Sequence, residues 1–135
     1  MGVAYSLSCK HCTYQQNVFL GVGFLYCDLK TISNWYEDEE GSRQLKEFLN
    51  EKETEVGYDC FDGLYVCPSC RFLLNKAFLH IKSDNRTYTN HYSCPRCHAP
   101  MPEKPLQDLD RSGGIDCPDC SSTDKLDVSF YMDWD

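Results

Sequence analysis

The stretch HYSCPRCHAPMPEKPLQDLDRSGGIDCPDCSS, residues 91–122, carries two C-P-x-C turns. A C-x-x-C turn aims two thiolates at one point in space. Two such turns complete a tetrahedral four-sulfur cage around a metal ion. Nineteen residues separate Cys97 from Cys117, which falls within the spacing of a paired C-x-x-C zinc site. The stretch therefore predicts a module built on Cys94, Cys97, Cys117 and Cys120, stapled by metal more than by an apolar core.

Outward from this stretch, eight of the ten cysteines form C-x-x-C pairs: Cys9/Cys12, Cys67/Cys70, Cys94/Cys97 and Cys117/Cys120. Subtraction assigns Cys9, Cys12, Cys67 and Cys70 to a first site and Cys94, Cys97, Cys117 and Cys120 to a second, each holding one zinc ion. A nested alternative joins Cys67/Cys70 to Cys94/Cys97 and leaves the outermost pairs to meet across the whole chain. That loop costs more entropy to close, although the cost grows slowly with length. The sequential pairing is the expectation, and the nested one stays open. The two remaining thiols, Cys27 and Cys60, read as small buried hydrophobes. With eight cysteines filling two sites, His11, His80, His91 and His98 read as surface residues or neighbours of the ligands.

Three of the pairs carry proline after the first cysteine, at Pro68, Pro95 and Pro118, where a fixed φ suits the first corner of a tight turn. These turns resemble the zinc-ribbon superfamily, in which C-P-x-C turns at hairpin tips grip one zinc. The opening AYSLSCKHC with FLGVGFLY is similar to small bacterial zinc-ribbon proteins, a resemblance that implies no activity. Ribbons often place glycine after the second cysteine; here Thr13, Arg71, His98 and Ser121 stand there.

A chain of 135 residues is one small domain or two very small ones, and each half of a divided chain needs a staple. The expected division is an N-terminal ribbon over 1–92 and a C-terminal ribbon over 93–135. Residues 3–8 and 13–20 read as strands flanking the first turn. The period changes within 31–55, where Leu45, Phe48 and Leu49 of SRQLKEFLNEKE share one helical face behind Ser42 as N-cap. Ile32, Trp35 and Tyr36 read as an earlier helical turn, interrupted at Gly41. GLYV leads into the second knuckle, RFLLNKAFLHIK and TYTNHYSC form a hairpin around SDNR, and KLDVSFYMDW closes the chain with Leu126, Val128, Phe130 and Met132 on one face. The predicted class is a small metal-stabilised β-rich α+β fold: two zinc-ribbon-like modules, with a helical insertion at about 31–55 in the first.

The formal charge is −8, and the acids concentrate in 37–62 and 108–135. Nucleic-acid affinity rests mainly on phosphate neutralisation, so the overall field opposes it. The exception is the net-positive stretch 63–107, where Lys76, Lys82, Arg86 and Arg96 lie among Phe78, Tyr88 and Tyr92, a mixture that can stack bases and hold phosphates. No apolar run approaches a membrane span, and the first residues lack a secretory leader pattern, so a cytoplasmic location is expected. In that reducing setting C-x-x-C pairs are more often metal ligands than disulfides. Closed four-cysteine sites leave no position for substrate, and no other residues form a recognisable catalytic motif. The functional expectation is a non-enzymatic zinc-binding interaction or adaptor module with a protein partner. The alternatives are a nucleic-acid-associated ribbon of transcription or translation, and a thiol redox or rubredoxin-like iron protein.

Overall fold

The computed structural model describes residues 2–50, 56–84, 86–109, 114–120 and 124–134. Among the described residues, six antiparallel strands and two α-helices, the first preceded by a 3-10 turn at Phe24–Tyr26, follow in the order β1 (Gly2–Ser8), β2 (Gln15–Gly21), α1 (Leu29–Trp35), α2 (Glu39–Leu49), β3 (Gly57–Val66), β4 (Leu73–Lys82), β5 (Thr87–Thr89) and β6 (Asp127–Trp134). They form one sheet in the order β5-β4-β3-β2-β1-β6. The last strand thus lies beside the first, in register from Ser8↔Asp127 to Gly2↔Trp134 with a shift between Ala4 and Tyr5. The expected division at residue 92 is not followed: residues on both sides of it share one sheet.

Two tight hairpins dominate. β1 and β2 pair from Gly2↔Gly21 to Ser8↔Gln15, with the first cysteine pair in their turn. β3 and β4 pair from Gly57↔Lys82 to Val66↔Leu73, with the second pair in theirs. The seam between them is thin. β2 meets β3 at Gly21↔Asp62, and the strands then part. Leu106 occupies the gap through two backbone hydrogen bonds with Leu64, of 2.9 and 3.0 Å. Asn75 completes the seam with its side chain: Oδ1 accepts from Phe19 N–H at 2.8 Å, and Nδ2 donates to the carbonyls of Phe19 and Gly63 at 2.9 Å. A side-chain amide here offers the donor and acceptor that a neighbouring strand would supply.

The helices cover the β3–β4 end. Asp28 caps α1 by accepting from Thr31 N–H, and Asp38 caps α2 by accepting from Gly41 N–H. The cap expected at Ser42 therefore moves to Asp38, while the Ser42 hydroxyl donates to the Tyr36 carbonyl at 2.8 Å. Gly41 does not interrupt the helix but lies within it. The Tyr36 ring packs where a Gly41 Cβ would stand, which is why glycine is needed there. An eleven-residue helix is marginal alone. Burial of Leu45 and Phe48 against Ile32, Tyr36, Cys60, Leu79 and Ile81 holds it, at roughly 1.5–3 kcal/mol per fully buried side chain. The last part of the predicted insertion, 51–55, lies outside the described residues.

A second core gathers Leu7, Val18, Leu20, Leu64, Leu73, Leu109, Ile115, Cys117 and Leu126, and a third gathers Tyr65, Cys67, Cys94 and Met101. Each includes buried cysteines, so the cysteine-bearing turns and the apolar core are continuous. β6 departs from expectation. Leu126 is buried, but Val128, Phe130 and Met132 are 41%, 63% and 41% exposed. Among the described residues no layer covers this edge strand, and its side chains on both faces are largely exposed.

Candidate metal centres

Hairpin geometry decides which cysteines meet. β5 returns antiparallel to β4, with His80 opposite Thr89. The chain continues along β4 as Asn90 N–H donates to the Leu79 carbonyl and the Tyr92 hydroxyl to the Ala77 carbonyl. That course delivers Cys94 and Cys97 to the β3–β4 turn. At the other end of the sheet, β6 beside β1 brings the segment before Asp127 to the β1–β2 turn. Among the described residues, the two groups able to hold a metal ion are therefore Cys67, Cys70, Cys94 and Cys97, and Cys9, Cys12, Cys117 and Cys120. This corrects the sequential assignment. All eight predicted ligand cysteines are in the two groups, but the pairing is nested.

Within each group the sulfurs lie within 4.8 Å of one another. The closest cross-pairs are Cys9–Cys120 at 3.6 Å, with Cys12–Cys117, Cys67–Cys97 and Cys70–Cys94 at 3.5 Å. A disulfide would require about 2.05 Å. Four sulfurs around one ion at about 2.3 Å form a tetrahedron with edges of about 3.8 Å. The cages therefore fit a tetrahedral thiolate-bound cation. Neither group includes a histidine. His11 instead pairs with Asp124 at 2.6 Å, and His80 Nδ1 bonds the Thr89 hydroxyl at 2.7 Å.

The turns share a backbone pattern. The first cysteine's N–H donates to the residue five positions on: Cys9 to Tyr14, Cys67 to Phe72 and Cys94 to Ala99. Backbone N–H groups also point at sulfur, from His11 to Cys9, Arg96 and Cys97 to Cys94, and Asp119 to Cys117, each at 3.4 Å. Such donors favour thiolate over thiol. Within the outer cage the coupled thiols move apart: Cys9 is brought down to about 7, chiefly by the His11 N–H, while Cys12, despite the Tyr14 N–H, is pushed up to about 12 by burial and its neighbouring sulfurs.

Arg71 and His98, which follow the second cysteines of the inner site, have φ of 67° and 64°. This is the left-handed conformation that glycine adopts without cost and other residues adopt at about 1–2 kcal/mol. Their presence accounts for the departure from the ribbon pattern, because the turn keeps its shape and carries the strain. His98→Gly should therefore stabilise the metal-loaded protein by about 1 kcal/mol in urea unfolding, after allowing for glycine's looser unfolded state. Arg71→Gly should gain less, because Arg71 also donates to the Cys120 carbonyl at 3.5 Å. A loss of stability in the His98 variant would refute the strain argument.

Arg96, expected among the nucleic-acid cations, ties the two centres together. Its guanidinium donates to the carbonyls of Cys70 at 2.6 Å and Pro118 at 2.9 Å, and to Asp119 at 3.3 Å. Its place inside C-P-R-C is the one sequence signal for that role: the residue between the cysteines lies within reach of a second knuckle. Arg86 is engaged too, with Gln44 and Glu47 and over the Phe48 ring at 4.6 Å. Lys76 and Lys82 are exposed, whereas Phe78 is buried against Phe61. Of the two single thiols, Cys60 is buried as expected, and burial pushes it up to about 12. Cys27 is exposed, which corrects the expectation of a second buried thiol.

No family model, curated protein or solved structure matches this chain. The centres are therefore interpreted from their own chemistry. No helix among the described residues is long and apolar enough to cross a membrane.

Proposed function

We propose that the chain binds two zinc ions as structural cross-links in the manner of zinc ribbons, and serves as a protein-interaction or adaptor module. The observation that carries this is closure. Each cage has four sulfurs within 4.8 Å of one another, and a shell of four thiolates leaves an ion no vacant position for a substrate or a reactive water. Zinc in such a site supplies cohesion by joining segments that the apolar core alone holds weakly. The outer site fastens the segment before β6 to the β1–β2 turn, and the inner site fastens the segment after β5 to the β3–β4 turn. Saturated sites on a small sheet favour a presenting surface over a catalytic one.

Elemental analysis should give two zinc ions per chain, and X-ray absorption should show sulfur neighbours only, at about 2.3 Å. One zinc per chain, or nitrogen in the shell, would refute the two-site reading. Tetrahedral thiolate also suits iron. A red preparation from the native host, with iron in place of zinc, would replace the metal while leaving the cages as described.

A further inference from the structure

A cleft of about 460 Å³ whose lining includes none of the eight caged cysteines lies between the helices and the β3–β4 hairpin. Tyr26, Trp35, Tyr36 and Tyr92 wall it. The rings are tilted, with Tyr26 and Trp35 centroids 5.0 Å apart at 44° and Trp35 and Tyr36 6.0 Å apart at 50°. Three of the four have their polar ends tied to the fold. Trp35 Nε1 donates to the Leu25 carbonyl at 3.0 Å, the Tyr36 hydroxyl accepts from Asn90 at 2.8 Å, and the Tyr92 hydroxyl donates to the Ala77 carbonyl at 2.7 Å. What these side chains offer a ligand is ring surface, held in place before anything binds. Asp62, on β3, supplies a half-buried carboxylate whose partner is the Tyr26 hydroxyl. Burial holds that carboxyl above the ordinary range, as expected of an acid short of compensating charge. Glu37 and Asp38 add two carboxylates, and Lys76 is the single cation among the described residues lining the cleft.

We propose that this cleft binds an alkylammonium group: a primary or methylated ammonium carried on an aliphatic stem. Aromatic faces attract a cation through the ring quadrupole, most strongly at a desolvated site. The carboxylates supply opposite charge, and they outnumber the one ammonium of Lys76. A hard inorganic cation is a poorer match, because calcium and magnesium require a shell of oxygens where this cleft presents rings. A neutral ligand is also poorer, because it would cover Asp62 without compensating its charge. The group can arrive on a free amine or on a lysine side chain of a protein. The proposal does not depend on which ion fills the cysteine cages.

The test is an NMR titration of the metal-loaded full chain that follows the Trp35 indole N–H, with the backbone amides of Gln15 to Asn17, outside the cleft lining, as internal reference. The probes are choline, its neutral carbon isostere 3,3-dimethyl-1-butanol, n-butylamine and the capped tripeptide Gly-Lys-Gly. The cations should shift the Trp35 signal saturably below about 10 mM, in the weak-binding range, while the neutral isostere leaves it in place. Lys76→Gln, an exposed substitution that spares the fold, should tighten binding about threefold, and Asp62→Asn should weaken it about tenfold. Tighter binding of the tripeptide than of butylamine identifies a protein lysine as the source, and the reverse identifies a free amine; either supports the site. The proposal is overturned if the neutral isostere shifts Trp35 as strongly as choline, if no amine moves the signal, or if Lys76→Gln leaves cation binding unchanged.

Discussion

Serine at Cys117 should expose Cys9, Cys12 and Cys120 to alkylation while Cys67, Cys70, Cys94 and Cys97 stay protected. The variant should keep about one metal ion per chain. The reason is the nested geometry, in which Cys117 shares its cage with Cys9, Cys12 and Cys120. A structural zinc site contributes on the order of 10–16 kcal/mol in small peptides, which rivals the net stability of about 5–15 kcal/mol of an entire domain. Losing the outer site should therefore free the segment before β6 and loosen the β1–β6 edge, visible as faster amide exchange in both strands. The inner site, with the β3–β4 hairpin and the helices, should persist. Exposed Cys27 should label in every variant and serves as the internal standard. Labelling of Cys94 and Cys97 together with Cys120 would instead indicate the sequential pairing and refute the fold described above.

Leucine at Asn90 should cost about 3 kcal/mol in equilibrium unfolding. The side chain is 3% exposed. Its Oδ1 accepts from the Leu79 N–H at 3.0 Å, and its Nδ2 reaches the Tyr36 hydroxyl at 2.8 Å, the Ala77 carbonyl at 2.9 Å and the Tyr92 hydroxyl at 3.3 Å. Leucine fills similar space but leaves the Leu79 donor buried without that partner, at roughly 1–3 kcal/mol for each group so stranded. It also releases the hydroxyls that orient two walls of the aromatic cleft. Tyr92→Phe, which removes one hydroxyl, should cost only about 1 kcal/mol. If Asn90→Leu unfolds within 1 kcal/mol of the parent, Asn90 is not the hub described.

The strands and the apolar face of α2 were legible because each has a period that physical chemistry enforces. The eight cysteines were legible because the C-x-x-C turn is a local device. Their partition was not local. Loop entropy pointed to the sequential pairing, but that term is worth only about 0.6 kcal/mol per doubling of length. Strand register, which decides the matter, is enforced by every ladder hydrogen bond. The hairpin around SDNR already contained the answer in outline: carrying the pairing of His80 with Thr89 five residues further brings Cys94 opposite Asn75, close to Cys70. Asp38 was hidden as a cap because the helix begins earlier than its apolar stripe. The aromatic cleft was hidden because Tyr26, Asp62 and Tyr92 converge from three separate segments, and no spacing along the chain announces such a meeting.

The nested arrangement also sets an order of events during synthesis. Cys9 and Cys12 leave the ribosome first, yet they cannot complete a cage until Cys117 and Cys120 follow. The inner four ligands span only Cys67 to Cys97, so that cage can close while the C-terminal segment is still being made. Until then the β1–β2 hairpin carries two unsatisfied thiols and lacks its neighbour β6. A released chain that ends before Cys117 has the four inner ligands but only one open outer pair, exposed to oxidation and to competing metals. The outer cage can therefore close only after Cys120 has cleared the ribosome, later than the inner one.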